Sequence, residues 1–114
     1  MITEGKFKEP IHEFIVKVVI FDDIKEVLDR YNGILDGGML GCTIEHIGKP
    51  RCELIIPCDR MSTVVHELEH LKNLIWKYIG YTPQPGNDEP DAYLISYLFE
   101  QVEKILRKHL ASRC

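Results

Sequence analysis

The sequence predicts an α+β fold in a single domain, with a small, mainly antiparallel sheet and two long helices. Three observations lead to this prediction. Runs rich in β-branched and aromatic residues occupy the first half of the chain, a Gly-Lys-Pro turn separates two of them, and apolar residues recur at helical spacing in the second half. A chain of 114 residues is sized for one domain, covering residues 1–114. The expected order of elements is β-α-β-β-α-α.

The first strand and the first helix are expected between residues 11 and 33. Residues 11–21, IHEFIVKVVIF, are typical of a strand because β-branched and aromatic side chains fit a pleated surface. The following segment predicts a helix, since Asp23 can cap it and Glu26 stands at the third position of a capping box. Gly33 supplies a left-handed stop for that helix, and LDGGMLG is a flexible turn.

An antiparallel hairpin is expected after this turn. The runs CTIEHI and RCELIIP are separated by the turn residues 48–50, Gly-Lys-Pro. This pairing would bring His46 and Cys52 nearly opposite each other. We interpret them as half-buried cross-strand neighbours, because a metal site there would need more ligands than the hairpin offers.

Two helices are expected in the second half. One starts at Asp59 or Ser62 and runs to Gly80, and the other starts within residues 87–89 and runs to about His109. Apolar residues along the last helix would pack it onto the core.

Several side chains outside any motif are interpreted as packing or surface groups. Trp76 lies with Val65 on one flank of the second helix, and Trp76 is expected to pack against the sheet. His12 and His109 have no visible partners in the sequence and are interpreted as surface residues.

Composition excludes several classes of function. The net charge is −4, and the 14 Lys and Arg residues are scattered among 18 acids, so no basic surface is offered to a nucleic acid. No apolar run approaches the ~20 residues of a membrane span, and the first ten residues lack the apolar core of a signal peptide. A cytoplasmic location is therefore expected. The cysteines form no CxxC pair and are expected to be free thiols, at the following positions: Cys42, Cys52, Cys58 and Cys114.

The segment VVHELEHLKN, residues 64–73, has the spacing of a metal site. At about 100° per residue, His66 and His70 lie about 40° apart on one helix face, so both imidazoles can reach a single zinc ion. Glu67 stands beside the pair, where it can take a proton from water activated by the ion. The trio lies at the border between the apolar stripe and the solvent face, as expected for a cleft wall. Ordinary histidines at the edge of a solvated helix are the competing interpretation.

A catalytic zinc usually has a third protein ligand. A third histidine six residues after His70 is absent, because position 76 is a tryptophan. The segment NDEP opens the last helix with the acids Asp88, Glu89 and Asp91, although acids are common in a first helical turn for reasons of capping and dipole.

We predict that Glu89 is the third ligand. Ala92 stands three residues later and leaves room for the histidine helix, while Tyr93 stands four residues later on the same face as Glu89. Glu100 is the weaker alternative. Tyr93 and Tyr97 are candidates for the group that stabilises an oxyanion, against the competing interpretation of partly buried aromatic residues.

These motifs carry a resemblance. HELEH at 66–70 with NDEPDAYLISYL at 87–98 resembles small HExxH proteins encoded in bacteriophage genomes, which look like compact zincin-type metallopeptidases. The segment from Glu89 to Ala92 is also similar to the one that carries the glutamate ligand in the ImmA/IrrE metallopeptidases. The resemblance covers about residues 52–100. It implies a minimal zincin-like fold, with zinc on His66, His70 and Glu89 and with Glu67 as general base.

The resemblance has a further implication for substrate binding and one departure. The strand near residues 52–57 would form the sheet edge along which an extended peptide adds as a further strand. The chain departs from longer peptidases because it lacks the C-terminal half of their cleft and a histidine that would stabilise an oxyanion.

The function expected from these observations is that of a zinc-dependent metallopeptidase of the gluzincin type, acting on a peptide or protein substrate. One alternative is a non-catalytic zinc-containing binding or regulatory protein, for example one encoded by a phage and acting in the host cytoplasm. Another is an interaction module without a metal. The sequence leaves the oligomeric state open.

Overall fold

The computed structural model describes residues 1–35 and 38–113. Its elements confirm the α+β class, and in chain order they are β1 (Ile2–Glu9), β2 (Phe14–Phe21), α1 (Lys25–Leu28), β3 (Cys42–Glu45), β4 (Arg51–Pro57), α2 (Met61–Ile79) and α3 (Glu89–Ser112). In the described part of the chain, none of the helices combines the length and apolar composition that a membrane crossing requires.

Strand β1 is the one element that was not expected. Its exposed residues Glu4, Lys6 and Lys8 alternate with half-buried ones, which is the period of a strand with one face in solvent. The strand pairs antiparallel with β2 over its full length. The buried Glu9 ends it, and its carboxylate accepts the backbone N–H of His12 at 2.8 Å. Polar side chains on most exposed positions hid this strand from a search for apolar runs.

The four strands form one mixed sheet in the order β1-β2-β4-β3. The two outer pairings are antiparallel, and β2 pairs with β4 in parallel. The expectation that residues 52–57 form a sheet edge is wrong, because β4 is flanked by β2 and β3. Leu54, Ile55 and Ile56 are all fully buried, as the two covered faces of an interior strand require. The edge on that side of the sheet is β3.

Both faces of the sheet carry a core. On one face, Val16, Val18 and Ile20 of β2 pack under α2 and α3. On the other face, Val19 and Phe21 contribute to a smaller cluster, whose buried members outside the sheet are Val27, Tyr31 and Leu35. This arrangement explains why β2 reads as an almost continuous apolar run.

The residues expected to begin and end the helices are present, but α1 is shorter than expected. The Glu26 half of the capping box forms, since Glu26 Oε1 accepts the N–H of Asp23 at 2.9 Å, whereas Asp23 Oδ1 accepts the N–H of Lys25 at 3.1 Å instead of that of Glu26. Helix α1 nevertheless ends at Leu28, before the expected stop at Gly33. Helix α2 ends at Gly80, whose φ of 76° is left-handed as expected.

The interpretation of His109 as a surface residue is wrong. His109 is fully buried, because the C-terminal part of α3 packs against β1, the strand that was not expected. Trp76 is buried in the core cluster that contains residues of β2 and β4, and its Nε1–H donates to Asp91 Oδ1 of α3 at 2.7 Å. Val65 on the same flank is exposed.

The hairpin forms as expected, with a shift in the predicted neighbours. Glu45 is the register partner of Cys52, and the Nε2 atom of His46 lies 3.8 Å from the carboxylate of Glu53. Cys42, Cys52 and Cys58 are free thiols as expected. Cys114 and residues 36–37 of the turn LDGGMLG lie outside the described residues.

Candidate metal centre on the second helix

The two histidines of HELEH lie side by side on α2. Both side chains are exposed, and their Nε2 atoms are 3.2 Å apart. Two Zn–N bonds of about 2.0–2.1 Å at a tetrahedral angle separate their nitrogens by roughly 3.3 Å. The donor pair of His66 and His70 therefore fits a zinc ion without a change of backbone, although the same spacing also permits a hydrogen bond between the rings.

Glu67 is held between α2 and β3. The side chain is buried, with 7% exposure, and its Oε1 accepts a hydrogen bond from Thr43 Oγ1 at 2.8 Å. The same hydroxyl is 3.2 Å from the Glu67 backbone oxygen. The second carboxylate oxygen, Oε2, lies 4.0 Å from His66 Nε2. One oxygen is thus anchored by the strand, and the other faces the histidines.

Gly41 permits the close approach of β3 to α2. A Cβ at this position would lie 3.0 Å from the Ile55 carbonyl oxygen, 3.0 Å from Thr63 Cγ2 and 3.4 Å from Glu67 Cγ. Such distances are tighter than ordinary van der Waals contact, so a side chain here would push the chain away from Glu67. The glycine that seemed to serve a flexible turn has a packing role beside the candidate site.

Two depressions flank Glu67 along the groove between β3 and α2. One has a volume of about 470 Å³ and is lined by His66, Thr63 and Arg60 among others. The other has a volume of about 450 Å³ and includes His70 and Thr43. Glu67 lines both depressions, and each of them also includes one of the two histidines.

Two further groups shape the groove near His70. Lys77 Nζ lies 3.1 Å from a carboxylate oxygen of Glu45, so that end of the groove holds a charge pair. Burial raises the pKa of the Cys42 thiol, and the charge of Glu67 raises it further. The Cys42 thiol is therefore protonated near neutral pH.

The predicted third ligand, Glu89, is exposed at the first turn of α3, and the structure does not bring it to the histidines. Asp91, two residues later, binds Lys72 Nζ and Trp76 Nε1, both at 2.7 Å. At about 100° per residue, Lys72 and Trp76 are turned by roughly 100–140° from the middle of the histidine pair. Helix α3 thus lies along another flank of α2, while β3 occupies the flank beside Glu67.

The other candidates on α3 also lie away from the histidines. Tyr93 is 72% exposed and lines a separate apolar cavity with Trp76 and Tyr97. Glu100 lines a groove with Val65 between the two helices. Among the described residues, the group of potential ligand atoms that lie within 4.8 Å of one another around the motif consists of His66, Glu67 and His70.

Thr43, Gly41 and Arg60 are the residues near the site that were not singled out from the sequence. The alternation of β3 gives a signal for the first, because Thr43 and Glu45 share one face and both contact α2. Gly41 and Arg60 carry no such signal, because their closeness to the histidine helix depends on how the sheet and α2 meet.

Comparisons with models of known protein families, with curated proteins and with solved structures find no match to this chain. The function is therefore argued from the geometry of the site.

Proposed function

We propose that this protein is a zinc-dependent metallopeptidase with a zincin-like site built from α2 and β3. One observation carries the proposal: two histidine nitrogens stand at the spacing of zinc ligands, and the buried carboxylate of Glu67 presents one free oxygen beside them. The gluzincin subtype is not proposed. It requires Glu89 as the third zinc ligand, and Glu89 lies away from His66 and His70.

His66 and His70 would hold the ion through their Nε2 atoms. A bound zinc ion lowers the pKa of its water to about 7 and polarises a carbonyl oxygen. Two protein ligands bind zinc more weakly than the usual three, so we expect activity only when zinc is supplied in the buffer. Both rings are exposed, which leaves the remaining coordination positions accessible to water and substrate.

Glu67 would act as the general base. The hydroxyl of Thr43 engages Oε1, and this leaves Oε2 to accept a proton from the attacking water and to return it to the leaving amine. Because a positioned base works only within hydrogen-bond reach, Thr43 serves as a positioning residue. Arg60 lines the same depression as His66 and would supply positive charge to the developing oxyanion, the role expected earlier for Tyr93.

The substrate would lie along β3. In the described part of the chain this strand pairs only with β4, so its outer edge can accept an extended peptide as a further strand. A peptide bound there would run beside the strand that carries Thr43, and hence close to Glu67. The peptide edge implied by the resemblance is thereby assigned to β3 instead of β4.

The geometry favours the enzyme over a non-catalytic zinc cross-link. A cross-link between helices needs ligands from two helices, whereas both histidines belong to α2. Within residues 1–35 and 38–113, the group around them contains no ligand from α3.

The proposal is tested by hydrolysis of a random peptide library with zinc supplied. We expect cleavage by the unchanged protein and none by the double variant His66→Ala and His70→Ala. The matched control, His12→Ala with His46→Ala, removes two histidines outside the site and should cleave normally. A zinc-loaded protein that cleaves no peptide, or cleavage that survives the loss of His66 and His70, would overturn the proposal.

A further inference from the structure

A second group of side chains that could hold a metal ion lies at the carboxyl ends of β2 and β4. Asp22 directly follows β2 and Cys58 directly follows β4. Because these strands are parallel neighbours, their carboxyl ends lie side by side at the same end of the sheet. The Cys58 N–H donates to the Phe21 carbonyl there at 3.0 Å. The Cys58 thiol is buried and lies 3.1 Å from Asp22 Oδ1.

Helix α3 adds a histidine to this pair. His109 is 0% exposed, and its Nε2 lies 2.9 Å from Asp22 Oδ1. Its other nitrogen, Nδ1, lies 2.7 Å from Thr3 Oγ1 on β1. The sulfur, nitrogen and oxygen atoms of the three side chains all lie within 4.8 Å of one another. The proposed peptidase chemistry uses none of them.

We propose that Asp22, Cys58 and His109 form a second site for a divalent metal ion of the zinc class, distinct from the histidine pair of α2. Thiolate, imidazole and carboxylate together are a donor set that zinc and cobalt(II) accept. The two anionic ligands balance the charge of a divalent ion. Unlike the pair on α2, this set comes from the ends of two strands and from a helix, and two of its members, Cys58 and His109, are buried.

The protons of Cys58 and His109 have defined destinations when the ion binds. The thiol proton of Cys58 is released to solvent, and the sulfur takes up the ion as thiolate. In neutral His109 the proton moves from Nε2 to Nδ1, which leaves Nε2 free for the ion. Nδ1–H then donates to Thr3 Oγ1, and Thr3 thus supplies the outer hydrogen bond that metal-bound histidines generally make.

Arg113 competes with the ion for the same atoms. Its Nε lies 3.3 Å from Asp22 Oδ1 and its Nη1 lies 3.5 Å from Cys58 Sγ. The N-terminal amine lies 3.3 Å from Asp22 Oδ2. The Arg113 side chain is 45% exposed, so it can turn towards solvent when an ion enters. Removal of its charge should therefore strengthen metal binding, whereas in a network of hydrogen bonds alone it would only remove a partner of Asp22.

The test uses the variant His66→Ala and His70→Ala, so its result does not depend on the proposed peptidase site. Cobalt(II) is titrated in, and the near-ultraviolet charge-transfer band of a cobalt–thiolate bond is recorded. We expect one equivalent to bind with this band. Adding Cys58→Ser should abolish the band, while adding Cys52→Ala, which removes another buried cysteine of the core, should leave it.

Arg113→Gln in the same background gives a second measure that does not require a change in the buried core. We expect it to tighten cobalt binding on the order of tenfold. A folded background protein without the band would overturn the proposal. So would a band that persists after Cys58→Ser, or a cobalt affinity that Arg113→Gln leaves unchanged or weakens.

Discussion

The two groups of potential metal ligands are built by the chain in opposite ways. His66, Glu67 and His70 fall within five consecutive residues of one helix, and both histidines are exposed. Asp22 and His109 are 87 residues apart and meet only when the sheet and α3 have assembled. A local site of the first kind can change without disturbing the fold, whereas the second contributes to holding the fold together. We therefore expect changes in the first group to affect zinc binding alone, and changes in the second group to affect the stability of the fold as well.

The largest expected effect concerns Glu67, the proposed general base on α2. Glu67→Gln removes the general base but keeps the shape of the side chain, so kcat/KM for peptide hydrolysis should fall by roughly 10²–10⁴-fold. Zinc content should stay unchanged, because Glu67 is not a proposed ligand. Steady-state kinetics with elemental analysis measures both, and hydrolysis at the unchanged rate would remove Glu67 from the mechanism.

The next effect sharpens the contrast in stability. His109→Ala empties a buried position and removes the hydrogen-bond partner of Thr3 and one of the partners of Asp22, so the free energy of unfolding should fall by about 3 kcal/mol. His66→Ala with His70→Ala should change it by about 0.5 kcal/mol or less, because both side chains are exposed. Urea unfolding in the presence of a chelator compares the proteins without bound metal. Equal losses of stability in the two variants would contradict the expected difference between the two groups.

A smaller effect is expected at the strand that anchors the base. Thr43→Val removes the hydrogen bond to Glu67 Oε1, and kcat should fall roughly tenfold with little change in KM. Thr43→Ser keeps the hydroxyl and should restore most of the rate. Should the valine and serine variants lose the same activity, the hydroxyl would not be the group that positions Glu67.

The start of α3 should add a modest dependence of stability on pH. Burial raises the pKa of Asp91, but hydrogen bonds from Lys72 and Trp76 and the charge of Lys72 lower it by more, to below its usual 3.8. Its contribution to stability is therefore present above pH 3.8 and is lost as the pH falls towards the folded-state pKa.

Asp91→Asn should accordingly make the acid loss of stability shallower. Urea unfolding between about pH 5 and about pH 2 measures this slope. The control Asp88→Asn changes an exposed acid three residues earlier and should leave the slope as it is. An identical slope for the Asp91 variant and the unchanged protein would mean that this contact does not position the start of α3.

The smallest effect is expected at the acid that the sequence suggested as third ligand. Glu89→Gln should alter neither zinc content nor peptide hydrolysis, because α3 passes along another flank of α2. Equilibrium dialysis against zinc and the library assay provide the measurement. A loss of bound zinc in this variant would show that α3 contributes a ligand to the histidine pair of α2.

The sequence predicts what depends on short-range spacing. The histidine register of α2, the Glu26 half of the capping box, the hairpin around residues 48–50 and the glycine that ends α2 all follow from residues a few positions apart. Each is fixed by helix or turn geometry, and each is present in the structure.

What the sequence does not predict depends on how elements meet. Nothing local indicates that β4 joins β2 in parallel, and this pairing places β3 at the edge and brings Cys58 to Asp22. The sequence does not reveal the partner of His109 on β1, because this strand carries lysines and glutamates at most of its exposed positions and does not look like a strand. The sequence also does not indicate on which flank of α2 helix α3 packs. Glu89 was predicted as a ligand only from the spacing of residues along its own helix.

The most direct test of the central claim is the zinc content of the purified protein with and without His66 and His70. Both proteins are dialysed against the same zinc buffer and analysed by elemental mass spectrometry. The account predicts that the double variant His66→Ala and His70→Ala holds one zinc equivalent fewer than the unchanged chain, while His12→Ala with His46→Ala holds as much. Equal zinc in the unchanged chain and in the His66 and His70 double variant would contradict it.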